Sequence, residues 1–350
     1  METDAAAVDL FCGVGGLTHG LERAGVPVSA GVELNPDCRH AYELNNTAEF
    51  VNRNVSDMNG GDVESLYPDG AAKILSGCAP CQPFSNLNNG ADVSERDDYT
   101  LLTKFGDIVE DIRPAVVSME NVPEVTNEPV YSDFMNTLFR EGYQMWFDTV
   151  ECPAYGIPQR RRRFVLLASR LGDISLKDPT HAPMDYPTVR DAIGDLPEVE
   201  AGETHESDPL HQSRTLVDRN LERIRQSKPG GTWRDWNPDI RLDCHKKESG
   251  QSFDSVYGRM EWDAPSPTVT TQFYNYGSGR FGHPEQDRAL SLREGAILQT
   301  FPEDYEFVAN GDSVEFKTIG KFVGNAVPVR LAEVVGQSIV SHLEEHDVAA

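Results

Sequence analysis

The sequence predicts an α/β fold in which a loop-rich domain is inserted into an open, mostly parallel sheet. Three observations carry this prediction. Over residues 1–171, short apolar runs alternate with stretches of helical periodicity, as in sheets built from strand–helix units. Near Asp9 an apolar run leads into closely spaced glycines and then into a helical pattern. From Gly172 the periodicity fades and Pro, Gly, Asp and His become frequent, which indicates irregular structure.

The predicted strands are short apolar runs bounded by turn residues. The first strand ends at residues 8–11. The others lie at residues 26–33, 71–76, 115–119, 144–150 and 164–169. The predicted helices show helical periodicity; Gly25 ends the first of them, and the third stops before Pro114. They cover residues 17–24, 36–44, 100–112, 130–140, 292–300 and 331–343.

The length of 350 residues is enough for two domains. We predict that the first domain occupies residues 1–171 and resumes at residues 285–350, where helical order returns. Residues 172–284 then form the inserted domain, which contains three of the four tryptophans: Trp233, Trp236 and Trp262.

The chain is strongly acidic, with 57 acidic against 31 basic residues and a net charge of −26. Lysine is scarce, with 8 Lys against 23 Arg, and this balance predicts a halophilic prokaryotic source. An acidic surface repels nucleic acid, but molar salt screens charges beyond about 3 Å. The acidity therefore does not exclude a nucleic-acid partner. The four arginines at residues 160–163 form the densest basic cluster.

The sequence gives no sign of a membrane segment or of a metal site. No apolar run approaches the ~20 residues that span a bilayer, and the acidic N-terminus lacks a signal-peptide pattern. We therefore expect a soluble, cytoplasmic protein. The six cysteines are scattered, so disulfides are not expected. Cys78 and Cys81 form a C-x-x-C, typical of redox pairs and half zinc sites, but no second pair completes four ligands and we predict no metal.

A cysteine and a carboxylate each follow a predicted strand. Cys81 stands between Pro80 and Gln82, shortly after the strand at residues 71–76, and Glu120 follows the strand at residues 115–119. Because the carboxyl ends of parallel strands face one crevice, we expect both groups there. A lone cysteine is more often a small buried apolar residue. Together, however, a thiolate and a carboxylate are suited to covalent addition to an electron-poor ring.

The glycine turn after the first strand predicts a nucleotide-like ligand. Glycines allow close approach of the backbone, and the N-terminus of the following helix favours negative charge. A dinucleotide fingerprint would require a third glycine where Thr18 stands, so an adenosyl ligand without a pyrophosphate fits better. Glu33 ends the second strand, where a carboxylate can bind ribose hydroxyls, and Phe11 could stack on an adenine.

These motifs, in this order, resemble those of the DNA (cytosine-5-)-methyltransferase family, which uses S-adenosylmethionine. The resemblance extends over essentially the whole catalytic part of the chain. The matching segments are the turn at residues 9–17, Glu33, Asp57, Pro80-Cys81-Gln82 with Phe84-Ser85, Glu120-Asn121-Val122, Gln159-x-Arg161-x-Arg163 and Gly324-Asn325-Ala326-Val327. The fold implied is a Rossmann-like methyltransferase sheet with an inserted target-recognition domain.

The resemblance also implies the roles of individual residues. Cys81 would add to C6 of a flipped cytosine, Glu120 would hydrogen-bond N3 and the exocyclic amine, and Arg163 with Arg161 would contact the base or its phosphate. Alternation along one strand would place both arginines on one face. Cofactor contacts would come from Asp9, Phe11, Gly13, Gly15, Gly16, Leu17, Glu33, Asp57, Pro80, Asn325 and Val327. DNA contacts would come from Gln82, Ser85, Gln159, Arg161 and Arg163.

The inserted domain would read the DNA, with residues 230–236 and 268–272 as candidate recognition loops; its tryptophans serve equally well as core. We expect a monomer acting on double-stranded DNA, as a solitary methylase or beside a separately acting restriction endonuclease. The alternatives are a transfer-RNA cytosine methyltransferase and a non-catalytic DNA-binding relative. The first has a short target region with a Cys-Phe-Thr element, which this sequence lacks. A nicotinamide-dependent oxidoreductase is favoured only by the glycine turn.

Overall fold

The computed structural model describes residues 5–80, 100–250, 252, 254–309 and 311–348. The chain forms two compact units. The first comprises Met1–Tyr155, Arg162–Thr180 and Ala326–Ala350, and the second comprises Gly156–Arg161 and His181–Asn325. These bounds differ from the predicted domains chiefly in that residues 285–325 belong to the second unit. None of the helices in the described ranges combines the length and apolar composition needed to cross a bilayer.

The described strands are β1 Ala5–Leu10, β2 Val28–Glu33, β3 Glu49–Asn52, β4 Ala72–Gly77, β5 Val116–Asn121, β6 Gln144–Glu151, β7 Gln159–Arg160, β8 Arg162–Ser169, β9 Thr204–His205, β10 Asp208–Gln212 and β11 Ser266–Pro267. The first unit contains a seven-stranded sheet in the order β3-β2-β1-β4-β5-β8-β6. Strands β1 to β5 run parallel, and β8 runs antiparallel to both β5 and β6. The predicted mostly parallel α/β sheet is therefore confirmed.

Strand β1 lies inside this sheet, between β2 and β4, and all six of its residues are buried. The chain proceeds outward from β1 through β2 to β3, and then returns to β4 on the other side of β1. The crevice beyond the carboxyl ends of β1 and β4 is thus a topological switch point, where open α/β sheets bind ligands. Gly77 allows the two strand ends to approach, because a Cβ there would lie 2.9 Å from the carbonyl oxygen of Leu10.

The described helices are α1 Gly16–Arg23, α2 Arg39–Asn45, α3 Gly60–Glu64, α4 Leu101–Ile112, α5 Pro129–Arg140, α6 Val189–Ile193, α7 Asp218–Gln226, α8 Leu292–Leu298, α9 Phe316–Asn325 and α10 Val329–Glu345. In the first unit, α4 and α5 pack through Phe105 and Phe134, whose ring centroids lie 5.4 Å apart. Helix α10 packs on α1, where a Cβ on Gly20 would lie 2.4 Å from that of Ala332.

The second unit is largely irregular, as the loss of periodicity predicts. Its apolar core is aromatic: Trp233 and Trp236 are 3% and 2% exposed and pack with Tyr276. The indole N–H of Trp236 donates to Ser227 Oγ at 2.8 Å, and Trp233 stacks on His245 with ring centroids 4.3 Å apart. Of the two roles open to these tryptophans, the structure shows that of core residues.

Candidate active site

The turn after β1 presents its backbone at the switch point. Phe11, Gly13 and Gly15 have φ values of 65°, 53° and 91°, so the chain passes three times through the left-handed region. No described atom lies within 4 Å of a Cβ built on Gly13. Phe11 is half-buried against the core of the sheet. The turn therefore exposes glycine backbone to open space directly before α1, in the way that a site for an adenosyl ligand requires.

Glu33, at the end of β2, holds this turn in place. Its Oε2 accepts from the backbone N–H of Gly13 at 3.1 Å, and its Oε1 accepts from that of Asn35 at 2.8 Å. Asn52 donates to the carbonyl oxygens of Glu33 and Leu34, at 2.9 Å each. Each carboxylate oxygen has a second lone pair, so Glu33 can support the turn and still accept a ribose hydroxyl.

Asp9 lies beneath the turn and is fully buried. Its Oδ2 accepts from Thr18 Oγ1 at 2.8 Å, and Thr18 Oγ1 lies 3.0 Å from the hydroxyl of Tyr42. Its Oδ1 has no hydrogen-bond partner among the described residues. Burial raises the pKa of Asp9 to about 7, although the hydrogen bonds from Thr18 oppose the shift. Thr18, at the place of the missing third glycine, thus anchors Asp9 to the first turns of α1.

Asp9→Asn is expected to gain stability relative to the native protein as the pH rises from about 4 to 7. In this window the unfolded chain has lost the Asp9 proton while the folded chain still holds it, so native stability falls with rising pH. Asparagine does not titrate, and the gain is limited to about 4 kcal/mol. Urea unfolding at pH 5 and pH 8 measures it, with the exposed Asp57→Asn as the control for lost charge. A stability difference that is equal at both pH values would contradict this prediction.

Glu120 lies at the end of β5 and is 6% exposed, between two partners. Its Oε1 is 2.8 Å from Nε of Arg163, an ion-pair distance without hydrogen-bond alignment. Its Oε2 accepts from Sγ of Cys78 at 3.0 Å, and Cys78 is the residue that directly follows β4. Arg163 lies near the start of β8, one residue beyond the Asn121–Phe164 pairing of β5 with β8. The sheet thus brings together, at one edge, two predicted site residues, Glu120 and Arg163, and the thiol of Cys78.

The backbone that leads from β4 toward the predicted nucleophile is fixed by Asn121. This residue is fully buried, and its Nδ2 donates to the carbonyl oxygen of Ala79 at 3.1 Å. Pro80 is half-buried and is the last residue described before the gap. Cys81, Gln82 and Ser85 lie outside the described residues, so their predicted roles stay predictions.

The Gln159–Arg163 motif is divided between two strands and two units. Gln159 lies on β7, Arg163 lies on β8, and Arg161 lies between these strands. The premise of one continuous strand through the arginines is therefore wrong, and the shared face inferred from it stays a prediction. Gln159 and Arg161 are 0% and 3% exposed. Both bind Val269: its N–H donates to Gln159 Oε1 at 2.8 Å, and its carbonyl accepts from Arg161 Nη1 at 3.2 Å.

The other predicted contacts are distributed as follows. Leu17 and Gly16 begin α1 and are buried, and Asp57 is exposed at the end of a short 3₁₀ helix. Asn325 is the exposed last residue of α9 in the second unit, whereas Val327 is 5% exposed in the first unit. Gly324 has a steric role, because a Cβ there would lie 2.4 Å from the backbone nitrogen of Thr271.

Sequence reasoning missed the roles of three residues of this site: Thr18, Cys78 and Asn121. Cys78 was considered as half of a C-x-x-C, and its thiol contacts the carboxylate of Glu120. Asn121 stood within a recognised motif, but its bond to Ala79 depends on the pairing of β4 with β5.

A switch-point glycine turn, a carboxylate at the end of β2 and a mostly parallel seven-stranded sheet agree with the predicted S-adenosylmethionine-dependent methyltransferase fold. A DNA modification methyltransferase encoded within an Escherichia coli prophage shares the fold: it superposes with a TM-score of 0.73 at 22% identity, over 97% of this chain and 100% of that one.

The sequence comparisons then give the family. The model of C-5 cytosine-specific DNA methylases matches residues 5–341, and the chain belongs to that family. The chain is 49% identical to the type II methylase M.HgiDII of Herpetosiphon aurantiacus, over 97% of this chain and 96% of that protein. It is 31% identical to the type II methyltransferase M.Eco47II of Escherichia coli, over 97% and 79% of the two chains. The protein is therefore a DNA (cytosine-5-)-methyltransferase that uses S-adenosylmethionine as its methyl donor.

Proposed function

We propose that this enzyme methylates C5 of a flipped cytosine within a specific duplex sequence, through a covalent bond between Cys81 and C6. The observation that carries the proposal is the pinned carboxylate of Glu120, between Arg163 and Cys78. C5 of cytosine is a poor nucleophile, and addition of a thiolate at C6 converts it into an enamine carbon. The target atom is inaccessible in a base stack, so the base must leave the helix, which costs a few kcal/mol.

The methyl donor fits the residues of the β1 turn. Asp9, Phe11, Gly13, Gly15, Gly16, Leu17, Glu33, Asp57, Pro80, Asn325 and Val327 would hold it. The open space beside Gly13 and the left-handed turn support this placement. When bound, S-adenosylmethionine supplies a methyl group on a positively charged sulfur. No metal is part of this proposal.

Glu120 and Arg163 would manage the charge that develops on the base. The Cys81 thiolate bonds to C6, and the electron pair of the C5–C6 double bond moves into the ring. Glu120 accepts from the exocyclic amine, and a proton held between N3 and its carboxyl group neutralises the charge that develops on the ring, while Arg163 holds this carboxyl group and contacts the base or its phosphate. The methyl group would pass to C5 with S-adenosylhomocysteine as the leaving group. Loss of the C5 proton to solvent then returns an electron pair to the C5–C6 bond and expels the Cys81 thiolate, which restores the ring. Gln82 and Ser85 would complete the contacts to DNA, and the buried Gln159 and Arg161 would support them through Val269 of the candidate recognition loop.

The biological setting that we propose is a type II restriction–modification system, or a solitary methylase of the same kind. Type II methylases among the relatives support this setting. Residues 172–284 would form the target-recognition domain between a catalytic domain at residues 1–171 and its return at residues 285–350. The protein would act as a monomer in the cytoplasm, beside any cognate endonuclease, and its net charge of −26 would suit a halophilic source.

Transfer of labelled methyl groups to unmethylated genomic DNA, with modified positions mapped base by base, tests this function. We expect label at C5 of cytosine within one short sequence, with more label in molar KCl than at low salt. Total transfer RNA in a parallel reaction is the control, and label in transfer RNA alone would select the alternative substrate. Absence of label in both, from protein that binds S-adenosylhomocysteine, would favour the non-catalytic relative.

Duplexes with 5-fluorocytosine at the target position test the covalent step. S-adenosylmethionine is included, so that C5 of the adduct becomes methylated. Fluorine cannot then leave C5 as a cation, so the methylated adduct should persist and survive denaturing electrophoresis. We expect this complex with the native enzyme and none with Cys81→Ala, whereas Cys78→Ala should still form it. A stable complex with Cys81→Ala would refute the proposed nucleophile.

A further inference from the structure

A groove in the second unit combines a cation with aromatic walls. Its cavity volume is about 440 Å³. The residues that matter here are Arg214, Tyr257, Tyr274, Asn275 and Tyr276, which we call the Arg214 groove. Tyr274 and Tyr276 are buried, while Arg214 is exposed at the rim. The groove therefore places a guanidinium at the rim of a wall that buried aromatic rings form.

Arg214 differs from other exposed arginines of its unit in what it contacts. Arg219, Arg225 and Arg234 form ion pairs with Glu222, Asp287 and Asp254. Arg214 has no carboxylate within ion-pair distance among the described residues. Its Nη1 donates to Asn275 Oδ1, and its guanidinium carbon lies 6.0 Å from the ring centroid of Tyr274. Neutral groups thus orient this guanidinium without neutralising it.

The groups that orient Arg214 are themselves held rigidly. The ring of Tyr274 lies 5.4 Å from that of Phe316, centroid to centroid, and a Cβ on Gly320 would come within 2.3 Å of it. The backbone N–H of Asn275 donates to the carbonyl of Gln272 at 2.9 Å, and Ser278 Oγ donates to the carbonyl of Asn275 at 2.8 Å. Tyr274 and Asn275, which we call the platform of Arg214, are therefore ordered before DNA binds, and this lowers the entropic cost of binding.

The platform is continuous with the candidate recognition loop at residues 268–272. Asn275 Nδ2 donates to Gln272 Oε1, so Gln272, Asn275 and Arg214 form one polar line. Gln272 is exposed at the end of that loop, whose Val269 is bound by Gln159. Two amides beside a guanidinium offer the mixed donors and acceptors that match base edges in the major groove. A contact to phosphate alone would require only positive charge.

We propose that Arg214 reads a guanine of the target sequence, donating to its O6 and N7, with Asn275 and Tyr274 as positioning residues. The proposal rests on the proposed function, since it takes duplex DNA as the substrate. A bidentate contact of this kind is worth about 1–3 kcal/mol of discrimination, or roughly 5- to 150-fold. The remaining guanidinium donors of Arg214 supply the fork that this contact needs.

Methylation of a duplex library, randomised around the mapped target, tests this assignment. Arg214→Ala should lose preference at one G·C pair by roughly 5- to 150-fold and keep its preference elsewhere. Arg214→Lys should not restore it, because an ammonium lacks the planar fork. Arg225→Ala removes the same charge from an exposed ion pair and should leave the sequence profile unchanged. Thermal unfolding and S-adenosylhomocysteine binding verify that each variant is folded.

Two results would overturn the assignment. Uniform weakening at every sequence would identify Arg214 as a phosphate contact, and an unchanged profile would remove the groove from the DNA interface. If the native enzyme methylates no duplex, the proposed function fails separately. Selection of bound duplexes from the same library then decides the role of Arg214, because a lost guanine preference supports it and an unchanged selection contradicts it.

Discussion

Glu120→Gln is expected to lower kcat for methyl transfer by about 10²- to 10⁴-fold, the range typical of a positioned acid–base group. Glutamine preserves the size of the side chain but removes its charge. It also places an amide N–H₂ where one oxygen now faces Nε of Arg163 at 2.8 Å or Sγ of Cys78 at 3.0 Å. The amide N–H₂ would then face another hydrogen-bond donor, either Nε–H of Arg163 or the thiol of Cys78. A carboxamide also cannot share a proton with N3 of the base, as the carboxyl group does in the proposed mechanism.

The adjacent ion pair provides the matched control. Arg162 and Glu151 lie 3.0 Å apart, but their side chains are 62% and 53% exposed, against 12% and 7% for Arg163 and Glu120. Exposed pairs contribute about 0–1 kcal/mol, so Glu151→Gln should change neither the rate nor the stability appreciably. The two pairs differ by one step along β8 and therefore separate the effect of the buried site from that of charge removal.

Single-turnover rates on a duplex that contains the target sequence measure this effect, and denaturant unfolding checks the fold. Removing one partner of a buried pair can cost about 3–5 kcal/mol, so the rate should be taken where both proteins are fully folded. A rate for Glu120→Gln within threefold of the native rate would exclude Glu120 from the chemistry. An equal loss in Glu151→Gln would attribute the effect to charge alone.

The parts of the fold that local sequence determines were predictable. Strands β1, β2, β4, β5, β6 and β8 are apolar runs, and the helices that begin at Leu101 and Pro129 carry strong helical periodicity. Strand β3 and helix α3 were missed because they are short, with four and five residues. Helix α7 was missed because charged residues dominate it, and only Arg223 and Ile224 are buried. In such elements, tertiary contacts rather than sequence periodicity decide the structure.

The residues of the site likewise divide into those that could be placed from the sequence and those that could not. Glu33 and Glu120 could be placed because each ends a strand of a parallel sheet, and the carboxyl ends of such strands meet at one edge. The contact of Cys78 with Glu120 joins residues 42 positions apart and depends on the pairing of β4 with β5. The burial of Arg161 could not be predicted either, since its partner Val269 lies 108 positions away. Motifs identify which residues matter, whereas long-range packing decides what each one contacts.

Removal of either member of the buried Arg288–Glu294 pair should destabilise the second unit by about 3–5 kcal/mol. The two side chains are 0% and 1% exposed. Arg288 Nη1 and Nη2 donate to Oε2 and Oε1 of Glu294, at 2.7 Å each. Glu294 also accepts from the backbone N–H of Ser291, the N-cap residue of α8. Arg288→Met would leave a buried carboxylate, and Glu294→Gln a buried guanidinium, without its counter-charge. Glu222→Gln, in the exposed pair with Arg219, should cost less than about 1 kcal/mol.

The same cluster should make the native protein sensitive to acid. Burial alone would raise the pKa of Glu294, but Arg288 lowers it to about 2, so the stability from this group is lost as the pH falls from about 4.5 toward 2. Burial lowers the pKa of His283 to about 4, and its contribution is lost earlier, as the pH falls from about 6.5 to 4. Urea unfolding from pH 8 to pH 3 should show both losses, and Arg288→Met should flatten the lower one. His283 is a second neighbour that can carry positive charge, with its Nε2 3.8 Å from Glu294 Oε1. An unaltered acid profile of Arg288→Met would therefore mean that Arg288 is not the group that holds the carboxylate ionised.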